Sequence, residues 1–339
     1  MYLPPTPDTP GDFPPIPPET GYAPEKGFTA VLTARLKAEI AKTVVSQEPL
    51  TDMALTALLS GGHVLIEGAP GLAKTLWVRT LAMALDVGFK RVQFTSDLMP
   101  SDITGTKIFN ARDSAFELKK GPLFTNLFLA DEINRTPPKT QSALLEVMEE
   151  RSITIDGEVN VLPEPFIVFA TQNPLEYEGT YPLPEALVDR FMMKLVLTYP
   201  GVAAEKKILQ MYCQGFNSVS PAGIEAVCGP SDLKRCREEI AACHADDGIL
   251  NYIVSIVETT RRVNVVSVGA SPRGSVALLL CAKSRAVMQG RDFITPDDVK
   301  ELALPVLRHR IILKPEAEID GVVTDMVVEN ILAQVKVPR

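Results

Sequence analysis

No apolar run among the 339 residues approaches the ~20 consecutive residues a bilayer-spanning helix needs, and the first 27 residues have neither the basic start nor the apolar stretch of a secretory signal. A cytoplasmic location is therefore the expectation. Cysteine is scarce: Cys213, Cys228, Cys236, Cys243 and Cys281 are odd in number, fall in the C-terminal half and form no C-x-x-C pair. Neither a disulfide framework nor a zinc site is signalled, and the five read as reduced packing residues, with Cys236, Cys243 and His244 the one conceivable loose ligand set. Net positive charge is lacking too. The formal charge of −8 speaks against tight sequence-independent binding to nucleic acid, because neutralising phosphates needs clustered Lys and Arg. What is present is an ordinary globular balance, 46% hydrophobic and 22% charged residues, in a chain long enough for two domains plus tails. Proline is plentiful at the start, where Pro4, Pro5, Pro7, Pro10, Pro14, Pro15, Pro17 and Pro18 make residues 1–27 read as an extended, disordered leader.

Residues 28–200 alternate short apolar runs with amphipathic helical segments, the pattern of an α/β sheet with crossover helices. Strands are expected over 64–67, 91–95, 127–131, 166–171 and 193–197, apolar enough to be parallel and covered on both faces. Helices are expected over 30–44, from 74 onward and over 139–150. After Tyr199 and Pro200 the strand signal stops, and residues 201–339 read as a separate helical domain with helices over 203–214, 231–242, 247–262, 271–289 and 295–307.

The most specific local signal is Gly68-Ala69-Pro70-Gly71-Leu72-Ala73-Lys74-Thr75, set between an apolar strand and a helix. Such a turn cradles phosphates: its backbone N–H groups and the helix N-terminus face the anion, Lys74 supplies a point charge, and Thr75 offers a hydroxyl to Mg²⁺. The strict pattern wants glycine where Ala73 stands, and the nucleotide-binding run extends to Leu76. A second signal agrees with the first. Leu127-Phe128-Leu129-Ala130-Asp131-Glu132 is an apolar strand ending in two acids, Asp131 suited to the Mg²⁺ shell and Glu132 to polarising the attacking water. Asn173, after the next expected strand, could reach between γ-phosphate and water, or could simply form a turn before Pro174. Arg190, just before the fifth strand, and Arg273, at a helix start in the second domain, suit the charge that develops on a transferring phosphoryl group, although each could be a surface charge.

The runs GAPGLAKT, FTSDLMPSDITG, LFLADEINR, FATQNPLEYEGTYPLPEALVDRF and GASPRGSVALL, in this order, resemble the MoxR family of AAA+ ATPases over nearly everything after the Pro-rich leader. The resemblance implies a P-loop ATPase core with a parallel five-stranded sheet ordered 5-1-4-3-2, an all-α lid closing over the nucleotide, Mg²⁺-dependent ATP hydrolysis and a ring of six subunits. It further implies Asn173 as the sensor 1 residue, Arg190 as the arginine finger that reaches the neighbour's ATP, and Arg273 as the sensor 2 arginine of the lid, acting either within its own subunit or on the adjoining one. Val44 and Val45 stand where the family packs the adenine, and the glycine usual just after them is Ser46 here. Gln93 looks like the residue that restrains the catalytic glutamate until a partner binds, or is a plain edge-strand polar residue.

Two hairpins are legible. Residues 105–121 read as one, with the turn Ala111-Arg112-Asp113-Ser114, and 152–162 as another around Asp156-Gly157; they resemble the helix 2 insert and the pre-sensor 1 hairpin, which in the family project toward the ring's centre. The implied function is a chaperone-like ATPase that remodels, assembles or activates protein clients, for example by metal or cofactor insertion, with von Willebrand factor A domain proteins as partners. A nucleic-acid motor, disfavoured by the acidic balance, and a metal-chelatase motor subunit are the alternatives.

Overall fold

The computed structural model describes residues 27–338 apart from 113, 175–178 and 219–222; the Pro-rich leader lies outside the described residues, as does Asp113 of the first hairpin's turn. Two helices, α1 (Phe28–Ile40) and α2 (Glu48–Leu59), precede the first strand, β1 (His63–Glu67), which leads through the glycine-rich turn into α3 (Lys74–Ala84) and β2 (Phe89–Gln93). A short helix α4 (Pro100–Thr104) opens the first hairpin, β3 (Gly105–Asn110) and β4 (Ala115–Lys120). Then follow β5 (Leu127–Asp131), α5 (Pro138–Glu150), the second hairpin β6 (Ser152–Ile155) and β7 (Glu158–Val161), β8 (Ile167–Gln172), α6 (Glu185–Val188) and β9 (Phe191–Val196). In the second hairpin the turn residues Asp156 and Gly157 take φ of 49° and 81°, the pair of left-handed residues that a two-residue turn between twisted strands requires.

The sheet runs β2-β5-β8-β1-β9, every pairing parallel. Counted in chain order within the sheet, this is 5-1-4-3-2, as the resemblance implies. Its two faces sort the side chains of the central strands. Leu127 and Leu129 of β5 join one core with α1, α2 and α3, while Phe128 and Ala130 join the other with Leu144, Val147 and Met148 of α5. Covering both faces is what makes the strands continuously apolar rather than alternating. The register Glu67↔Gln172 and Gln93↔Asp131 brings the carboxyl ends of four strands to one edge, where open α/β sheets bind ligands.

The rest of the chain supplies α7 (Val202–Cys213), α8 (Pro230–Ala242), α9 (Asp247–Thr260), α10 (Pro272–Met288), α11 (Pro296–Leu307), α12 (Pro315–Ile319) and α13 (Thr324–Gln334). It is not helical throughout. Strands β10 (Val266–Val268) and β11 (Ile312–Leu313) pair antiparallel, each too short for an alternating pattern to stand out in sequence. Helices α2, α4, α6, α12 and α13 were not expected. In α2, Pro49 in the first turn and the buried face of Leu50, Ala54, Leu55 and Leu58 carry the signal. One core continues from α1 and α2 into α8, α9, α10 and α11, so the helical region packs on the sheet region through apolar side chains. Cys228, Cys236, Cys243 and Cys281 are buried in it, and burial pushes the thiols of Cys228 and Cys281 up to about 12 and that of Cys236 to about 11. Cys213 is the exception to the packing role, being exposed. No group of three or more His, Cys, Asp and Glu side chains among the described residues could hold a metal ion, and no helix among them is long and apolar enough to cross a membrane.

Candidate nucleotide site at the strand ends

The turn after β1 has the backbone of a phosphate cradle. Gly71 takes φ 83° with open space where a Cβ would stand, whereas a Cβ on Gly68 would come within 2.9 Å of Leu197 Cβ. Ala73 adopts φ 56° and ψ 23° immediately before α3; the left-handed conformation is the one glycine would supply, and an alanine there costs about 1 kcal/mol. Lys74 Nζ donates to Gly68 O at 2.7 Å, bridging the turn. Burial lowers the Lys74 ammonium from its ordinary value, while Asp131, Glu132 and Glu67 pull it back up. The lysine is thus one of the cations set among the strand-end acids.

Asp131 ends β5, buried. Its Oδ1 accepts from Thr171 Oγ1 at 2.5 Å and its Oδ2 lies 3.5 Å from Thr75 Oγ1. Glu132 follows with φ 55° and ψ 50°, a left-handed glutamate whose N–H donates to Thr171 Oγ1 at 2.8 Å. Backbone strain of this kind persists only where the surroundings over-determine it, and here Thr171 grips both acids. The Glu132 carboxylate is held too: Gln93 Nε2 donates to its Oε2 at 2.6 Å, and Arg135 Nη1 stands 3.0 Å from the same oxygen. The contact expected of Gln93 is therefore made. Arg91, two residues earlier on the same side of β2, donates through Nε and Nη2 to Asp131 Oδ2 at 2.9 and 2.7 Å and through Nη2 to Gln93 Oε1 at 2.9 Å.

A cavity of about 600 Å³ collects these groups: Pro70 to Leu76, Arg79, Arg91, Gln93, Asp131, Glu132, Asn173 and Tyr212 line it. A smaller apolar cavity adjoins it between Val44, Val45, Leu72, Leu76 and, from α7 and beyond, Ile208, Met211, Tyr212 and Phe216. Tyr212 lines both and meets Phe216 edge to face at 5.5 Å. Ser46, where the family has glycine, takes φ 60°, so this loop keeps the glycine-like bend with a serine in it.

Arg190 and Arg273 do not line either cavity. Both converge on Glu149, at the end of α5: Arg190 Nη2 is ion-paired with Glu149 Oε2, and Arg273 Nη2 lies 3.3 Å from Oε1. Arg190 holds the Glu149 carboxyl below the usual carboxylate range. Beside them Asp189 accepts from Ser271 Oγ at 3.2 Å and from Arg310 Nε at 3.1 Å, and the buried Arg310 also donates to the carbonyls of Phe191 at 2.7 Å, Met192 at 3.2 Å and Val306.

Residues 63–193 match the model of the ATPase family associated with various cellular activities (AAA), and 258–331 match the AAA lid domain. Chaperone MoxR1 of Mycobacterium tuberculosis is 42% identical over 310 residues, 89% of this chain and 81% of that protein. The chain belongs to the MoxR family of AAA+ ATPases. YeaC of Bacillus subtilis is 47% identical over 299 residues, 88% of this chain and 92% of that protein. The crystal structure of a candidate ATPase from Cytophaga hutchinsonii superposes with a TM-score of 0.86 at 42% identity, covering 93% of this chain and 97% of that one.

As a MoxR-family ATPase the chain binds nucleotide, and the residues present fit a Mg²⁺–triphosphate. The Thr75 hydroxyl and the Asp131 carboxylate approach each other at one rim of the cavity, two hard oxygen donors of the kind Mg²⁺ takes beside substrate phosphates. The open space over Gly71 leaves its backbone free for a phosphate. Sequence reasoning missed Arg91, Glu149, Arg310 and Tyr212. Only Arg91 carried a signal, the two-residue spacing to Gln93 that puts both on one face of a strand.

Proposed function

We propose that this MoxR-type ATPase uses Mg²⁺-dependent ATP hydrolysis, at sites shared between the subunits of a ring of six, to remodel or activate client proteins. In this reading residues 28–200 form the ATPase core and 201–339 the lid. Lys74 and the turn Gly68–Ala69–Pro70–Gly71–Leu72–Ala73 hold the triphosphate, Thr75 and Asp131 hold the metal, and Val44, Val45 and Leu76 receive the base. Mg²⁺ held there would supply charge neutralisation on the triphosphate. Glu132 takes the proton of the attacking water, and Asn173 orients that water.

The observation that supports a shared site is the pairing of Arg190 with Arg273 on Glu149, outside the cavity of their own chain. An arginine that stabilises a transferring phosphoryl group must touch it, so two arginines gathered elsewhere suit a neighbour's nucleotide. In this reading Arg273 acts in trans together with Arg190. Lys74→Ala subunits, which keep their arginines, mixed with Arg190→Ala subunits, which keep their cavity, test it directly: each is inactive alone, and activity returns on mixing.

The client role draws on the relative named chaperone MoxR1 and on the hairpins. Phe116 of β4 is 70% exposed and packs edge to face on the exposed Phe109 at 5.4 Å, while Lys107 and Glu158 join the two hairpins at 2.6 Å. Exposed aromatics on a braced hairpin suit transient grip on a polypeptide. Clients that carry a von Willebrand factor A domain, and metal or cofactor insertion into them, are the partner class we infer from the family. Deleting residues 156–158 is expected to spare basal ATPase and abolish client remodelling; unchanged remodelling would refute the grip.

A further inference from the structure

We infer that Glu149 is a positioning residue that couples the arginine pair to the second hairpin, so that the nucleotide in one subunit sets the hairpin position of the next. The inference rests on the shared-site reading above. Its basis is where Glu149 stands. It is the penultimate residue of α5, and Arg151, with φ 50°, closes that helix directly before Ser152 opens β6. The junction has no slack: Arg151 N–H donates to Val147 O at 3.0 Å, and Leu162 N–H donates to Arg151 O at 3.0 Å. Ile153 and Ile155 of the hairpin are buried in the same core as Val147 and Met148 of α5. The last turn of the helix and the hairpin base therefore move as one body, because a packed core transmits displacement rather than absorbing it.

The other end of the coupling is ionic and breakable. Arg190 and Arg273 share one carboxylate, itself partly exposed, and Arg190 Nε–H is buried with no acceptor. Counting Asp189 and Arg310, three guanidiniums face two carboxylates, so the cluster carries excess positive charge. An unsatisfied donor and an uncompensated cation favour a more highly charged acceptor than a single carboxylate. A γ-phosphate presented by the adjoining subunit is such an acceptor, with three oxygens for two arginines. When the pair turns to it, Glu149 loses its partners and the end of α5 is released. Asp189 stays anchored by Arg310, which fixes the root of Arg190 while its tip changes partner. Two alternative acceptors for one arginine pair constitute the bistable element that such coupling requires.

The test is a fluorophore on Val159→Cys, at a site 67% exposed on β7, in a Cys213→Ser background because Cys213 is the exposed thiol among the described residues. Glu132→Gln is included so that bound ATP persists. ATP is expected to change the emission of the assembled parent, and Glu149→Gln, which keeps shape and removes charge, to reduce that change by about threefold or more with ATP affinity within about twofold. A change of full size in Glu149→Gln, or none in the parent, overturns the inference. The mixing of Lys74→Ala with Arg190→Ala subunits separates the two readings. If mixing restores hydrolysis while Glu149→Gln retains the full emission change, only the role of Glu149 falls. If mixing restores nothing, the shared site itself falls.

Discussion

The strand-end cavity and the cluster around Glu149 are built from opposite materials. The cavity gathers its groups from short runs of chain, each ending a strand of one sheet: Lys74 and Thr75 after β1, Gln93 at β2, Asp131 and Glu132 at β5, Asn173 after β8. The cluster joins side chains as far apart as Glu149 and Arg310, from α5, the turn before β9, the start of α10 and the turn after α11. The cavity sets Asp131 and Glu132 among the cations Lys74, Arg79 and Arg91. The cluster holds the rigid cations that phosphoryl transfer also needs. Arg91 is tied to Asp131 inside the cavity, whereas Arg190 and Arg273 lie outside it on Glu149, and in the shared-site reading a neighbour's pair reaches the nucleotide.

The largest expected effects break this comparison at its two centres. Lys74→Ala should abolish ATP binding, and Glu132→Gln should preserve binding while lowering hydrolysis by a factor on the order of 10² to 10³. Arg190→Ala should lower kcat by a factor on the order of 10³ with nucleotide affinity nearly unchanged, as for an arginine supplied from outside. Equilibrium binding beside steady-state hydrolysis separates the two patterns; a binding defect in Arg190→Ala as severe as that of Lys74→Ala would erase the distinction between the regions.

Next in size is the anchor of the cluster. The Arg310 side chain is 2% exposed and paired with Asp189, and Arg310→Ala removes the ionic partner of that carboxylate and a donor to several carbonyls, a loss of about 3–5 kcal/mol for breaking a buried pair. Chemical denaturation measures it, and a loss below about 1 kcal/mol would show that the cluster is not tied to the lid through this residue.

A pH effect sharpens the comparison from the side of the sheet. His63 is buried neutral, its Nδ1 accepting from Val168 N–H at 3.0 Å and its Nε2 lying 3.2 Å from Met148 O. Burial takes its pKa from 6.5 down to about 4. Between those values the unfolded chain binds a proton that the folded one does not, so its contribution is complete above pH 6.5 and is lost as pH falls toward about 4. The full span is on the order of 3 kcal/mol. His63→Gln should flatten this part of the stability curve, and an unaltered slope would contradict the assignment. His309, also buried and lowered, sits beside Arg310 and should leave a residual slope of the same sign.

The smallest effect lies in the turn itself. Ala73→Gly should raise stability, or leave it level, despite the greater freedom glycine gives the unfolded chain, because about 1 kcal/mol of left-handed strain is relieved. A loss of more than about 1 kcal/mol would mean that the methyl group packs rather than strains.

Ala73 and Ser46 also show what was legible in the sequence and why. Both occupy positions where the family pattern has glycine, and both keep the positive φ that glycine would supply, so backbone shape was readable through the wrong residue. Strand identity was readable because β1, β5 and β8 are apolar on both faces, strand order only through the family resemblance, and Asp131 and Glu132 because they terminate such a strand. The ends of the edge strands were less so: β2 begins at Phe89, opposite Leu127, two residues before the expected start, and its exposed Lys90 hid that beginning. Glu149 resembles any solvent-facing helix carboxylate until folding brings Arg190, 41 positions away, against it, and Arg310 pairs with Asp189 across 121 positions. Local patterns do not encode such partners. Tyr212 fell into an amphipathic helix without a motif, and only the approach of α7 to Leu72 and Leu76 gives it a place beside the nucleotide cavity.

The most direct measurement is hydrolysis in mixtures of Lys74→Ala and Arg190→Ala subunits at fixed total concentration. A site completed by the adjoining subunit predicts activity that is absent at both ends of the titration and rises between them, with a maximum at intermediate ratios. A flat, inactive titration, or an Arg190→Ala protein that turns over normally on its own, would contradict it.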